Sequence, residues 1–380
     1  MRRLPAGRPF KRGILAVLML LAAAGTWAQY AESRAPWWYT LEKGKDLFRQ
    51  GAYGDALIAF QDARNDRRDM YADMESDFIT LLSAYEARRM NDSLDAIERY
   101  ARDNGQLNAL AAINELYYRV GRDALGNSAQ KALDQFDCLK KYPEADYWIG
   151  EVYRLSGEYD IALSRFDEAA LNSDMMENPG FAVEIAYKAA EIERLRQNYN
   201  GMEQRLLSII GQDALWAENE GGFVREAMDR TLNTSGVNRF MQMYRYRNAL
   251  TERAHRLLGE YYYVSGRHGK AVPHLAFAFL IQNTAIIDEV IAARFDFRFT
   301  ALENLMAELE RRRDVKEYMR EHEYYKTAYF FAAALYAAGM EDAARELWSF
   351  LAGLDEADEW QGRARSQSRS PYVDPPLEMP

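Results

Sequence analysis

Few side chains in this chain could do acid–base or metal chemistry near neutral pH: His255, His268, His274 and His322, with one thiol, Cys138. A hydrolytic metal centre needs histidines one helical turn apart with a carboxylate beside them, and none of the four has that arrangement. A Gly-rich loop closing on Lys-Ser or Lys-Thr, which would cradle phosphate, is absent. So is the Gly-x-Ser-x-Gly turn that presents a nucleophilic serine. His268 and His274 fall in a turn and the helix after it and read as ordinary surface or turn histidines. Cys138 lies beside Leu139 on a predicted core face and reads as buried and inert. With no catalytic set, metal cluster or cofactor motif, the chain reads as a binding protein and not as an enzyme.

The elements that would position a binding surface are legible from spacing. Gly44, Leu47, Gly51, Tyr53, Ala56, Phe60 and Ala63 return with identical offsets as Gly150, Tyr153, Gly157, Tyr159, Ala162, Phe166 and Ala169. They return again as Gly259, Tyr262, Gly266, His268, Ala271, Leu275 and Ala278. Large residues three and four apart predict helices, and the glycine between them predicts a left-handed helix end. Each unit is then a helix–turn–helix in which a small residue at the eighth place and an alanine at the twentieth let two helices approach closely. The large residue at the twenty-fourth place is expected to pack on the next unit. Such arrays make binding surfaces more often than active sites.

Further units are predicted over 71–103, 107–142, 181–210 and 325–352, with an irregular connection over 211–237 carrying a short helix near 223–232. The array as a whole is predicted over 37–210 and 238–360. Arg294-Phe295-Asp296-Phe297-Arg298-Phe299 alternates like a strand, but its flanks keep helical spacing and predict a helix. Of Tyr261, Tyr262 and Tyr263, only Tyr262 is expected to pack in the core. From Gln361 the composition turns to Arg, Ser and Pro without periodicity, so 361–380 is expected to be a disordered tail.

The chain opens with Arg2, Arg3, Arg8, Lys11 and Arg12, then an uncharged stretch from Ile14 to Ala24, then Thr26-Trp27-Ala28. This pattern predicts a signal peptide over 1–28, cleaved after Ala28, with 29–36 as a short linker. The protein would then be periplasmic or secreted; an uncleaved inner-membrane anchor is the alternative. Cleavage removes five positive charges and no negative ones, taking the formal charge from −10 to −15. That balance excludes nucleic acid as the expected partner, despite the basic and aromatic residues interleaved over Arg239 to Arg247, and suits basic protein partners.

The small residues at the eighth and twentieth places and the aromatics between them resemble the tetratricopeptide repeat. The likeness is closest in the windows beginning near Trp37, Pro143 and Glu252. The family's tryptophan at the fourth place is replaced by Thr40, Asp146 and His255. The resemblance implies an all-α fold, a right-handed α-solenoid of stacked antiparallel helix pairs, whose first helices line a concave face. By that resemblance the partner-binding positions are Tyr147, Trp148, Glu151 and Arg154, then Tyr187, Glu191 and Arg194, then Arg256, Glu260 and Tyr263, then Tyr329 and Phe330. Trp38, Leu41, Lys45 and Phe48 hold the same places in the first repeat. The Lys, Asn and Arg set with which some members clamp a carboxyl terminus is not present in that arrangement. The implied function is an exported scaffold or adaptor for protein partners in a bacterial cell-envelope assembly. A small-ligand-binding accessory of a periplasmic transport system is the alternative.

Overall fold

Glycines at the fifteenth place of the repeat line close helices in one recurring way. In a computed structural model of the chain, Gly51, Gly157, Gly266 and Gly339 have φ of 79°, 79°, 74° and 88°. Each donates its N–H to the carbonyl three residues back, and the following residue donates to the carbonyl five back: Ala52 to Leu47, Glu158 to Tyr153, Arg267 to Tyr262, Met340 to Leu335. Two orphan carbonyls are satisfied at each end, and the chain reverses into the next helix.

The structure describes residues 35–85, 93–178, 180–211, 213, 216, 223–309, 312–354 and 358–374. The predicted signal over 1–28 and most of the linker lie outside the described residues. The described chain is all-helical, with no strand and one isolated bridge between Ser93 and Ser128. Helix packs on helix throughout, as in a helical solenoid, and the chain divides into two compact units, Met1–Ile185 and Ala186–Pro380.

In the first unit, α1 (Trp37–Arg49) packs on α2 (Tyr53–Ala84), and α7 (Pro143–Leu155) on α8 (Tyr159–Leu171). A Cβ on Gly44 would sit 2.5 Å from the Phe60 ring, and one on Gly150 2.8 Å from the Phe166 ring. The eighth-place glycine therefore makes room for the twenty-fourth-place ring of its own pair. Packing of this ring on another pair is expected; its seat against the glycine of its own pair is not. Phe60 does both, since its ring also stacks on Trp148, with centroids 5.8 Å apart.

The order of packing also departs from the chain order. Helix α2 runs unbroken for 32 residues. Its first half carries the pair with α1 and packs directly on α7, through Ala56, Phe60, Ala63, Ala145 and Ile149. Its second half forms a separate cluster with α3 (Leu94–Asp103), α4 (Leu107–Arg119), α5 (Arg122–Leu125) and α6 (Ala129–Leu139), centred on Tyr71, Phe78, Ile113, Leu116 and Phe136. The expected second and third repeats are thus a lateral bundle built on an overlong helix. Between Tyr53 and Ala84 no proline or glycine other than Gly54 interrupts the helical spacing, so α2 continues past the first pair.

Helix α9 (Phe181–Leu195) contains the division between the units, and α10 (Tyr199–Gly211) follows it. In the second unit α12 (Ala249–Val264) packs on α13 (His268–Ala293), α13 on α16 (Tyr324–Ala337), and α16 on α17 (Glu341–Ala352). Helix α13 is long and apolar enough to cross a membrane, yet 72% of its apolar window is buried inside the unit. A helix apolar on all faces is what such a core position requires. Tyr261 and Tyr263 are buried along with Tyr262, contrary to expectation, because Tyr199 and Phe330 cover them.

Three further elements differ from the sequence reading. Helix α11 (Phe223–Met243) is longer than the expected 223–232 and turns sharply at Gly236, with φ 77°. The Glu346 carboxylate accepts the Val237 and Asn238 N–H groups at 2.6 and 3.1 Å and so caps the segment after the turn. Residues 294–301 form a loop, not a helix, between α13 and α14 (Leu302–Leu309), which leads to α15 (Arg313–Glu321). Only Phe297 of that aromatic run is buried, and Phe295 is 92% exposed. Of the tail expected to be disordered over 361–380, the described part is helical as α18 (Asp358–Arg369) and packed to Asp374, and 375–380 lie outside the described residues.

A candidate partner-binding groove

The concave positions taken from the repeat line fall into three groups. In the first unit, Tyr147 and Glu151 are buried, and Trp148 and Arg154 are half-buried. Trp148 lies against Phe48, Phe60 and Tyr147, so it is part of the packing between α1, α2 and α7. Arg154 grips Glu151 through two hydrogen bonds of 2.9 and 3.0 Å. The Tyr147 phenol is pushed well above its ordinary value, chiefly by burial and then by the Glu151 charge. The expectation that Trp148, Glu151 and Arg154 form an open anchor is corrected: one helix face places them together, but neighbouring helices cover most of it.

The second group lies in the second unit and does converge. Tyr187, Glu191 and Arg194 from α9, Arg253, Arg256, Leu257 and Glu260 from α12, and Glu323 and Lys326 beside α16 line one groove of about 260 Å³, floored by Met202 and Leu206 of α10. The Tyr187 hydroxyl donates to the Leu250 carbonyl at 2.7 Å and accepts the Ala254 N–H at 3.0 Å, so it ties α9 to the start of α12. Arg253 stands over the Tyr187 ring, 4.8 Å from its centroid. Arg256 is buried among Glu252, Glu260 and Glu323, and Lys326 reaches Glu260 at 2.8 Å. Each buried charge here is offset by an opposite one, which lowers the cost of its burial. The accessible members are Glu191, Arg194, Arg253, Leu257, Glu323 and Lys326.

Four cations face three carboxylates across the groove lining, so the acidity of the whole chain does not extend to this surface. Arg253 and Lys326 were absent from the sequence-derived set. Both stand at the second place of their repeats, so the signal that found the other residues would have found them.

The third group is covered by the chain itself. Trp360 of α18 lies against Tyr329 and Phe330, with centroids 5.3 and 5.8 Å apart. Asp374 accepts from the Tyr329 hydroxyl at 3.0 Å and the Tyr263 hydroxyl at 3.2 Å, and Gln367, fully buried, donates to Tyr329. Burial, then the Asp374 charge, pushes the Tyr263 phenol well above its ordinary value. Tyr329 is raised in the same direction, chiefly by burial. Aromatic hydroxyls seeking acceptors explain why a segment lacking periodicity is nonetheless ordered here.

His274, expected at the surface, is instead buried beside His255. His255 and His274 are buried with their Nδ1 atoms 3.1 Å apart, one ring donating to the other, against Trp216 and Phe277. Burial, and then the neighbouring His274, holds His255 well below its ordinary value, so it is neutral. Cys138, expected in the core, is exposed, because α6 turns Leu139 inward and the thiol outward.

No family model matches the chain. It is similar to an uncharacterized protein of Treponema pallidum (strain Nichols), 25% identical over 329 residues, which span 86% of this chain and 88% of that one.

Proposed function

We propose that the protein is an exported tetratricopeptide-like scaffold that holds a protein partner in a bacterial cell-envelope assembly. In this reading the helices stack as antiparallel pairs in a right-handed solenoid, and cleavage after Ala28 releases the repeats from the export signal. One observation carries it: residues at equivalent repeat places, from α9, α12 and α16, converge on the groove of the second unit. Its mixed charges, its tyrosine and its apolar floor are the composition of polypeptide-recognition surfaces, where arginine and aromatic side chains supply most of the affinity. The partner is then a segment presenting carboxylates to Arg194, Arg253 and Lys326 and cations to Glu191 and Glu323.

The test is recovery of partner from native envelope with the wild type and with the double variant Arg194→Glu, Arg253→Glu. Both arginines are accessible, so helicity should be unchanged while recovery is lost. Undiminished recovery sinks the groove assignment. Amino-terminal analysis of native protein should begin at or near Gln29, and a retained Met1 overturns the export reading.

A further inference from the structure

The first unit holds a larger cleft, away from every concave residue discussed above except those of α1. Its volume is about 700 Å³, in the range of small-molecule sites, and its walls come from α1, α2, α4, α6, the start of α7 and residues 174–177. Arg67 of α2 forms part of the wall and is only 7% exposed. Its Nε donates to the Leu139 carbonyl at 2.9 Å, and its guanidinium lies 4.8 Å from the Trp37 ring centroid and 4.7 Å from that of Tyr142. Among the described residues no carboxylate stands within ion-pair distance of it. A second guanidinium, that of Arg119, approaches the same Trp37 ring at 5.6 Å and also lines the cleft; Glu115 engages its Nε at 2.9 Å.

A buried cation without a counter-charge is costly, and two guanidiniums on one indole repel each other. Burial lowers the Arg67 affinity for its proton; Tyr71, Glu144 and Tyr142 partly offset this from a distance, and Arg119 adds a smaller lowering. We propose that this cleft binds a small organic carboxylate, its carboxyl group on Arg67 and Arg119 and its apolar body against Trp37, Trp38 and Met176. Planar guanidiniums match a carboxylate with paired hydrogen bonds. Lys45 also lines the walls, as do Glu42, Glu144, Asp174 and Glu177, so the four carboxylates disfavour ligands of higher negative charge than a single carboxyl group. The assignment does not depend on the partner groove of the second unit.

Cys138 supplies the reporter, since it is the single cysteine, is exposed and lines the cleft. The rate of maleimide labelling of the purified chain is measured with naphthalene-2-carboxylate, with its neutral carboxamide and with inorganic phosphate. The carboxylate should protect at a concentration at least about tenfold below that of the carboxamide, and phosphate should not protect. N-acetyl-Gly-Phe against its carboxy-terminal amide separates a peptide terminus from a free acid, and a carboxylate preference in either pair supports the proposal. Arg67→Gln should abolish the preference. Arg119→Gln, on a more exposed residue, should reduce it several-fold even where Arg67→Gln does not fold. Equal protection by carboxylate and carboxamide, protection by neither, phosphate as effective as naphthoate, or an undiminished preference in Arg119→Gln overturns it.

Discussion

Replacing Gln197 with glycine is expected to stabilise the protein. Helix α9 ends with the same closure as the helices that end at glycine: the Gln197 N–H reaches the Arg194 carbonyl at 2.9 Å and the Asn198 N–H reaches that of Glu193 at 2.8 Å. Gln197 has φ 59°, where the four equivalent positions are glycine. An L residue in the left-handed region carries a cost of about 1–2 kcal/mol. Glycine removes that cost but frees the unfolded chain, which gives back about 0.4–1 kcal/mol. The net gain then falls within about 0–1.6 kcal/mol, centred on roughly 0.8. The converse change, Gly157→Ala, should lose a similar amount, because no atom lies within 4 Å of the position a Cβ would take and only the backbone conformation is at stake. Urea midpoints measure both, and hydrogen exchange of the α9–α10 junction localises the effect, since a chain of two units need not unfold in one step. A lower midpoint for Gln197→Gly, or no loss in Gly157→Ala, would refute the reasoning that these closures set local stability.

Gly150→Ala should overpack α7 against Phe166 and cost about 1–3 kcal/mol, read as a lower urea midpoint with helicity retained. Acidification should weaken the second unit through His255. Its folded value lies below the ordinary 6.5, so the unfolded chain binds the proton more readily, and stability present above pH 6.5 is lost as pH falls below it. The decline, at most about 1.4 kcal/mol per pH unit, is checked by urea midpoints between pH 7.5 and 5, and a flat profile contradicts it. Asp374→Asn should loosen the ordered segment after α18 by replacing a carboxylate that accepts from Tyr263 and Tyr329, with faster exchange over residues 358–374 and no change in α8. Unchanged exchange there means that Trp360 and Gln367 alone hold the segment.

Local rules were enough to read the helices of the strongest repeats from the chain. The positions of Gly51, Gly157, Gly266 and Gly339 specify left-handed helix ends, because only glycine takes that conformation without cost, and the spacing around them specifies which faces are apolar. The groove residues Glu191, Arg194, Arg256 and Glu260 follow from the same periodicity. What the spacing could not specify is which apolar face meets which. Helix α2 continues past the first pair because its later residues find α4 and α6, and the pair that begins at Pro143 then packs directly on the first. The half-burial of Trp148 follows from that choice of neighbours. His255 and His274 pair with each other across 19 residues, and Asp374 has partners 45 and 111 residues away, contacts that the spacing of apolar residues does not encode. Burial and hydrogen bonding between distant segments are free-energy gains available only after the helices have assembled, so the tertiary structure alone decides them.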